Sequence, residues 1–315
     1  MASISPEEYA MKRNFLKQRQ SLPLHLKIEL SKNRIKQFYE HFDGQVYVSF
    51  SGGKDSTVLL YLVRSLYPEV PAVFVDTGLE YPEVRQFVKQ TENTITIRPK
   101  ITFKQVLEQY GYPISKEVAK VIEESRRNPD GYTKKKFDPN SDYVKRYGTH
   151  YCMAKWQFLR DSDIPISAKC CQVMKKTPAK KFEKESGLKP FIATMAAESN
   201  LRKTEYLKKG CNSFNSDRPA STPLGFWTEQ DIYQYIKEFD VPYCSVYGDI
   251  LQDSKGKYYT TKVDRTGCMF CMFGVHREKS PNKFEKMRET HPKLHDYCIN
   301  QLGCGKVLDF LGVKY

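Results

Sequence analysis

The feature that most constrains the fold is the run VYVSFSGGKDSTVLL at residues 46–60. An apolar stretch typical of a buried strand meets Gly52 and Gly53 and then continues with the apolar pattern of a helix. A strand that turns through two glycines into a helix presents backbone N–H groups at the positive end of the helix dipole, where phosphate binds. The run predicts a phosphate-binding loop, with a purely structural turn as the alternative. The polar side chains in or next to it are Ser49, Ser51, Lys54, Asp55, Ser56 and Thr57.

The spacing of this loop differs from two common nucleotide-binding motifs. Lys54 follows the paired glycines directly, so the run is neither a Walker A loop nor a G-x-G-x-x-G loop.

The loop belongs to a chain that alternates strand-like and helical segments. Such alternation predicts an α/β fold, with a Rossmann-like parallel sheet flanked by helices. We expect an N-terminal helical segment at 1–44, a nucleotide-binding α/β domain at 45–225 and a C-terminal cysteine-containing loop and helix lobe at 226–315. The polar stretch 111–150 has weak periodicity and is interpreted as a basic insertion. The strand-like segments are 46–50, 72–76, 94–99 and 190–196.

Composition restricts the surroundings and the partners. Lys and Arg number 51 against 37 Asp and Glu, a net charge of +14, and so basic a chain favours a polyanionic partner such as tRNA or DNA. The first residues lack the apolar segment of a secretory signal, and no apolar stretch approaches the ~18 residues that span a bilayer. We therefore expect a cytoplasmic protein with no membrane partner.

Four of the nine cysteines form a pattern suited to a metal. Cys170 and Cys171 are adjacent, and Cys268 and Cys271 form a C-x-x-C pair. Four thiolates are soft ligands that suit an iron–sulfur cluster or zinc. Buried cysteines without a ligand are the alternative for each position taken alone.

SGGKDS resembles the PP-loop of the ATP-pyrophosphatase superfamily, whose members bind ATP and release pyrophosphate. The segment Asp76-Thr77-Gly78-Leu79-Glu80-Tyr81-Pro82-Glu83 resembles the D-T-G-x-x-x-P-E stretch of the phosphoadenosine phosphosulfate reductase family. The resemblance implies an adenine nucleotide alpha-hydrolase-like fold, with Asp76, Thr77 and Gly78 in the nucleotide site. A helix cap is the alternative role for Asp76.

Two further segments are similar to the same family. Residues 193–202 match G-I-R-A-D-E-S-x-x-R at Glu198, Ser199 and Arg202, while the internal arginine of that pattern is replaced by Met195. The resemblance implies that Glu198 and Arg202 contribute to the nucleotide site, and a surface Glu–Arg pair is the alternative. Residues 223–232 resemble P-x-x-x-W-x-x-x-D-[VI]; we expect core aromatics there and assign no chemistry.

The cysteines carry the resemblance further. The CC…CxxC arrangement is similar to that of adenylylsulfate reductases, which implies a [4Fe–4S] cluster on Cys170, Cys171, Cys268 and Cys271, with Zn²⁺ as the alternative. The reductases also carry a nucleophilic cysteine in a C-terminal Glu-Cys-Gly-Leu/Ile-His motif. Here Cys304 keeps Cys-Gly without the Glu or the His, so a reactive tail thiol and an incidental cysteine both stay open.

Three functions follow from these observations. The first is an ATP pyrophosphatase that uses ATP and Mg²⁺, with Lys54 and Asp55 in catalytic positions, to adenylylate a tRNA or DNA substrate for a sulfur donor. The second is reduction of adenylylsulfate or its 3′-phosphate to sulfite through Cys304 and thioredoxin. The third is a nucleotide- or nucleic-acid-binding module with a structural cluster. The intact loop favours the first, and a homodimer is left open.

Overall fold

The computed structural model of the protein describes residues 5–315. None of its helices combines the length and apolar character that crossing a bilayer requires, within that range. Short π-helical turns occur at Gln172–Lys176 and Tyr297–Gln301. In chain order the α-helices are α1 (Pro6–Gln20), α2 (Leu24–His41), α3 (Lys54–Arg64), α4 (Pro82–Gln90), α5 (Phe103–Tyr110), α6 (Lys116–Arg127), α7 (Asp142–Tyr147), α8 (Gln157–Arg160), α9 (Thr177–Ser186), α10 (Asn200–Lys209), α11 (Glu229–Glu238), α12 (Lys283–Thr290), α13 (Pro292–Asp296) and α14 (Cys304–Phe310).

The strands of the described chain form one large sheet and one hairpin. The large sheet has the order β3-β2-β1-β4-β6-β5, and its strands are parallel except at the β5–β6 pair. β7 and β8 pair separately as an antiparallel hairpin. This architecture confirms the predicted α/β class. The strands are β1 (Val46–Ser49), β2 (Ala72–Val75), β3 (Thr94–Ile97), β4 (Lys189–Ile192), β5 (Asn212–Ser213), β6 (Ala220–Ser221), β7 (Ile250–Gln252) and β8 (Tyr258–Thr260).

The order of the sheet contains a switch point between β1 and β4. From β1 the chain builds outward through β2 and β3, and it then returns to place β4 on the other side of β1. In open parallel sheets, ligands bind outside the carboxyl ends of the strands at such a point. The glycine loop leaves β1 there, and residues 193–202 leave β4 there.

The chain divides into two compact units. Unit 1 comprises the chain up to Asp76 together with Glu80–Arg98 and Ala179–Thr266. It contains both sheets and a continuous apolar core, in which Val48, Phe191 and Trp227 are almost completely buried. The predicted core role of the aromatics in 223–232 is thus confirmed.

Unit 2 is helical and comprises Thr77–Leu79, Pro99–Pro178 and Gly267–Tyr315. Its helix α6 differs from our expectation of weak periodicity in 111–150, because Val118, Val121 and Ile122 lie on one buried face. The charged residues between these apolar positions lower the mean hydropathy of the stretch, so the apolar face is not evident from the average. The guanidinium of Arg126, at the end of α6, donates hydrogen bonds to a series of carbonyl oxygens: Leu159, Arg160, Ser162 and Ile164.

Polar side chains fix the ends of several helices. Ser5 caps α1 by accepting a hydrogen bond from the N–H of Glu8, and Thr228 with Asp231 forms a capping box on α11. Asp231 also accepts two hydrogen bonds from the buried ammonium of Lys27, at 2.8 and 2.7 Å. This ion pair joins α2 to α11 inside unit 1.

Candidate functional site

Gly52 occupies a position that only glycine fits. Its φ is +70°, in the left-handed region, and a methyl group there would lie 2.8 Å from Cγ1 of Val84 and 2.8 Å from Cγ2 of Val88. The loop after β1 therefore packs directly on α4.

Because Gly53 has no side chain, the hydroxyl groups of Thr266 and Tyr247 can lie close to the loop. A methyl group on it would lie 2.8 Å from Oγ1 of Thr266 and 3.2 Å from the hydroxyl of Tyr247. That hydroxyl accepts a hydrogen bond from the N–H of Lys54 at 3.1 Å and lies 2.9 Å from the Thr266 hydroxyl. Burial raises the pKa of Tyr247, so it is a neutral hydroxyl. Sequence reasoning missed Tyr247 and Thr266, because nothing in their local sequence marks them as neighbours of a loop about 200 residues earlier.

The hydroxyl groups of the loop bond mainly to the loop itself. Oγ of Ser56 accepts from the N–H of Ser51 at 3.1 Å and donates to the carbonyl oxygen of Gly53 at 2.9 Å. Thr57 donates to the same carbonyl at 3.0 Å. Ser51 is exposed, whereas Ser49, in β1, is half-buried. Ser51 is consequently the hydroxyl of this set that is open to a ligand.

The ammonium of Lys54 is enclosed and has protein partners. Only 3% of the residue is exposed, and Nζ donates to the carbonyl oxygen of Asp264 at 3.0 Å. It also lies 3.1 Å from Oε1 of Glu229 and 5.4 Å from the ring centre of Tyr233. Glu229 belongs to the segment 223–232, to which we assigned no chemistry. In the structure Glu229 contacts the cation of the glycine loop.

Asp55 carries the clearest sign of a ligand. Its Oδ1 atom is buried and has no hydrogen-bond partner within the described chain, although 30% of the side chain as a whole is exposed. The ammonium of Lys54 lies 3.8 Å from this oxygen, beyond hydrogen-bond distance. Burial raises the pKa of Asp55; the cation of Lys54 opposes this rise, and the carboxylates of Glu198 and Glu229 add to it. Arg265, which lies three residues before the C-x-x-C pair, also lowers this pKa. The site therefore holds a carboxylate among charges of both signs.

Asp76 is paired with two arginines. Oδ2 lies 3.1 Å from a guanidinium nitrogen of Arg85 and 3.2 Å from one of Arg98, while the Asp76 side chain is only 7% exposed. The arginines therefore compensate a carboxylate that we predicted to contact the nucleoside. That role stays a prediction.

Thr77 and Gly78 follow in unit 2. The hydroxyl of Thr77 accepts from the N–H of Leu79 at 3.2 Å, and Gly78 has a φ of +75°. The carbonyl of Leu79 in turn accepts from the N–H of Met269 at 2.7 Å, within the C-x-x-C turn. The D-T-G segment thus supports the turn that carries Cys268 and Cys271.

Glu198 and Arg202 form an ion pair on the segment after β4. Glu198 also accepts a hydrogen bond from the N–H of Met195 at 2.8 Å, and Ser199 caps α10 by accepting from the N–H of Arg202. The Glu–Arg pair that we held as the alternative is therefore present. Arg202 also lines a cavity of about 210 Å³, together with other basic side chains that include Lys209 and Arg218. A phosphate role for Arg202 stays a prediction.

The four cysteines of the CC…CxxC pattern lie in one neighbourhood of unit 2. Burial, together with the nearby thiols of Cys171, Cys268 and Cys271, raises the pKa of Cys170 to about 12. Burial also raises the pKa of Cys271, and Lys283 opposes that rise.

The donor set fits a soft metal centre, although the geometry is not that of a formed site. Among residues 5–315, no three or more His, Cys, Asp or Glu side chains are arranged to hold a metal ion. Four thiols that act electrostatically on one another are nevertheless the chemistry that an iron–sulfur cluster or zinc requires.

Cys304 is not a thiol on a flexible tail. It is 0% exposed, opens α14 and shares a hydrogen bond with the buried thiol of Cys298, whose pKa this contact and burial raise. A tail nucleophile must reach its substrate, and this cysteine is enclosed. Its catalytic role stays a prediction.

Comparison with known proteins adds relatives at low identity. An uncharacterized protein of Methanocaldococcus jannaschii is 25% identical over 85% of this chain and 43% of its own length. The phosphoadenosine 5'-phosphosulfate reductase of Photobacterium profundum is 23% identical over 79% of this chain and 81% of its own. The chain thus spans about half the length, or less, of the archaeal relatives that it matches.

A solved structure gives a weaker likeness. The U34-tRNA thiolase NcsA of Methanococcus maripaludis, with its [4Fe-4S] cluster, is 11% identical, with 93% of this chain and 81% of that chain covered and a TM-score of 0.37. We draw nothing about function from a likeness at this level.

A family model identifies most of the chain. The model for the phosphoadenosine phosphosulfate reductase domain matches residues 45–273, which include the glycine loop, the segment after β4 and all four cysteines of the CC…CxxC pattern. This chain belongs to the phosphoadenosine phosphosulfate reductase domain family.

Proposed function

We propose that the glycine loop binds ATP and that the protein transfers the adenylyl group to a substrate oxygen, with release of pyrophosphate. The observation that carries this proposal is the buried Oδ1 atom of Asp55 at the start of α3, which accepts no hydrogen bond from the described residues; the ammonium of Lys54 stays 3.8 Å away. A buried acceptor left without a partner costs free energy. A ligand that brings a cation or a donor to this atom would recover that cost.

The loop supports the binding of a polyphosphate next to Asp55. The first-turn N–H groups of α3 have no acceptor within the helix, and the helix dipole adds positive potential there. Lys54 supplies a full charge, and its ammonium would exchange the half-exposed carboxylate of Glu229 for a phosphate oxygen. Ser51 is exposed at the same loop, and its hydroxyl can donate a hydrogen bond to a phosphate oxygen.

Mg²⁺ fits this site as a companion of the nucleotide. It binds proteins through one or two carboxylates and takes its other ligands from phosphate oxygens and water. Asp55 would hold the ion, which when bound would neutralise charge on the phosphates.

The reaction proceeds by displacement at phosphorus. An acceptor oxygen attacks the α-phosphorus, the bond to the bridging oxygen breaks, and pyrophosphate leaves with the bonding electrons while the acceptor proton passes to solvent. Lys54 and the loop amides offset the charge that develops on the leaving group. The adenylylated oxygen can then leave as AMP when a sulfur donor attacks the carbon that bears it. The net charge of +14 supports a tRNA or DNA acceptor.

The cysteines would hold a [4Fe–4S] cluster, with Zn²⁺ as the alternative. The ligands would be Cys170, Cys171, Cys268 and Cys271, and when bound the cluster would supply soft-ligand or electron-transfer chemistry. In this proposal these residues bind the group and shield it from water.

The test is pyrophosphate release from ATP by anaerobically purified protein, with and without bulk tRNA or DNA. We expect release that depends on the polynucleotide and falls at least tenfold in Asp55→Asn, while Asp253→Asn, on the β7–β8 turn, leaves it unchanged. A parallel assay supplies adenylylsulfate and reduced thioredoxin and measures sulfite. Sulfite formation without pyrophosphate release would replace this proposal with reduction, and Cys304→Ser should then abolish the sulfite.

A further inference from the structure

Residues 132–155 of unit 2 form a surface that the proposed reaction does not use. It carries four tyrosines and six Lys and Arg residues against two aspartates. We call it the tyrosine–lysine patch and define it by Tyr132, Lys134, Lys135, Lys136, Tyr143, Lys145, Arg146, Tyr147, Tyr151 and Lys155.

Three tyrosines of the patch are exposed, and two of these lie close to the half-buried Tyr143. Tyr132, Tyr147 and Tyr151 are 59%, 46% and 42% exposed. The ring centre of Tyr143 lies 5.6 Å from that of Tyr132 and 4.9 Å from that of Tyr147. Neighbouring aromatic rings that water can reach are an unusual surface for a protein to leave uncovered.

A cation accompanies each ring of this row. Lys135 lies 5.9 Å from the ring centre of Tyr132, and Arg146 lies 5.5 Å from that of Tyr147. Lys136 stands in the same relation to Tyr143, at 5.3 Å. Within the described chain, Lys134 is the one cation of the patch that forms an ion pair with a carboxylate, that of Asp130. The remaining charge is available to an anion.

The patch rests on an ordered base. Val144 and Phe137 are buried beneath it, and Ser141 caps α7 by accepting from the N–H of Val144. The N–H of Met153 donates to the carbonyl oxygen of Lys136 at 2.6 Å, which ties the two ends of the segment together. The backbone that carries the rings is therefore fixed by contacts within the segment.

We propose that the tyrosine–lysine patch binds an unpaired polynucleotide strand. Aromatic rings stack on bases whose faces are exposed, and nearby cations track the phosphates between them. A duplex hides its base faces, so the rings favour an unpaired strand. This inference rests on the proposed function, because it assigns the place where a tRNA or DNA acceptor docks.

An anionic membrane is the other partner that basic and aromatic side chains suggest, and the structure disfavours it. Membrane-surface helices need a long apolar face, whereas α7 has six residues and its one aliphatic side chain, Val144, points inward. The membrane therefore becomes an outcome of the test.

The experiment measures fluorescence anisotropy of labelled oligonucleotides of about 12 nucleotides, without ATP. We expect the full chain to bind single-stranded RNA or DNA at least tenfold more tightly than the matching duplex. Tyr132→Ala with Tyr147→Ala should weaken binding by roughly tenfold per ring. Phenylalanine at both positions should restore it, because a ring remains. Tyr259→Ala, which removes a tyrosine of unit 1 that is 45% exposed, should have no effect.

A charge variant supplies an independent measurement. Lys135→Ala, Lys145→Ala and Arg146→Ala together should reduce the slope of log affinity against log salt by about 0.7 for each phosphate that the variant no longer neutralises. Equal affinity for duplex and single strand, or equal binding by the tyrosine-to-alanine variant with an unchanged melting temperature, would overturn the inference. So would binding to phosphatidylserine vesicles that competes with the strand and depends on the same tyrosines.

The inference and the proposed function fail separately. Strand binding that the tyrosine variants abolish, in a protein that releases no pyrophosphate, would refute the reaction and leave the patch standing. Pyrophosphate release by a protein whose strand binding is unchanged in the tyrosine variants would refute the patch and leave the proposed reaction standing.

Discussion

Nζ of Lys54 lies 3.1 Å from Oε1 of Glu229, so the cation of the glycine loop already has a carboxylate partner. A phosphate that binds at this loop must compete with that carboxylate. The side chain of Glu229 is 45% exposed, so water screens the pair and the competition is modest.

Replacing Glu229 by glutamine should therefore tighten nucleotide binding. We expect the KM for ATP in pyrophosphate release to fall about fivefold or less, in keeping with the ~1 kcal/mol of an exposed ion pair. Glu238→Gln, at the opposite end of α11, removes the same charge away from Lys54 and should leave KM unchanged. A rise in KM for Glu229→Gln would mean that the carboxylate helps to bind the nucleotide.

Asp55→Asn should make the nucleotide-free and metal-free protein more stable at neutral pH. Burial raises the pKa of Asp55 above the ordinary value of 3.8, so the folded state binds this proton more tightly than the unfolded state does. The stabilising effect of protonation is complete below that ordinary value and is lost as the pH rises through the folded pKa.

The measurement is urea unfolding of both proteins between pH 3 and pH 8. We expect the free energy of unfolding of the variant to exceed that of the parent by about 1 kcal/mol at high pH. This difference should shrink as the pH falls and Asp55 of the parent becomes protonated. A variant that is less stable at neutral pH would show that ionised Asp55 is stabilised in the empty site.

Gly52→Ala should destabilise unit 1 through two separate effects. A side chain at positive φ costs about 1–2 kcal/mol, and contact with Val84 and Val88 at 2.8 Å adds about 1–3 kcal/mol of overpacking. Gly256→Ala is the matched control, because Gly256 has a similar φ of +75° and open space around the added methyl. Equal losses in urea unfolding would show that α4 yields to the new group.

Removal of Lys27 should cost more than removal of any exposed lysine. Lys27 is 2% exposed and its ammonium bonds both carboxylate oxygens of Asp231, so Lys27→Ala leaves the buried carboxylate without its countercharge. We expect a loss of about 3–5 kcal/mol in the free energy of unfolding. Lys32→Ala, which breaks the exposed pair with Glu29 on the same helix, should stay within about 0.5 kcal/mol.

Cys268→Ser should abolish iron binding by the protein. Anaerobically reconstituted parent protein is expected to be brown and to contain about four iron atoms per chain, and the variant to lose both properties. Cys152→Ser replaces a cysteine outside the pattern and should keep them. Zinc in place of iron in protein isolated without reconstitution would assign the alternative metal.

The sequence predicted the parallel sheet and the glycine loop because both depend on local order. The strand pattern of VYVSF acts over a few positions, and β1 appears where we expected it. The partners of Lys54 could not be predicted in this way. Glu229, Asp264 and Tyr247 reach it from 175 to 210 positions later, and only the packing of unit 1 brings them there.

The insertion shows a second reason for failure. The buried face of α6 holds only a few residues spread through a strongly charged stretch, so average polarity conceals it. The tyrosines of the patch could not be predicted from a sequence pattern either. Some lie on a helix and others in irregular segments, so they share no single spacing along the chain.

The close approach of Gly52 to Val84 and Val88 gives this glycine a structural role that does not depend on catalysis. A relative that had lost all activity would still need glycine here to keep α4 in place, so the paired glycines can outlast the reaction. Asp55 differs, because a protein without the activity would gain stability by losing a buried oxygen that accepts no hydrogen bond. We therefore expect members of this family that have lost the activity to keep both glycines and to carry another residue in place of the aspartate.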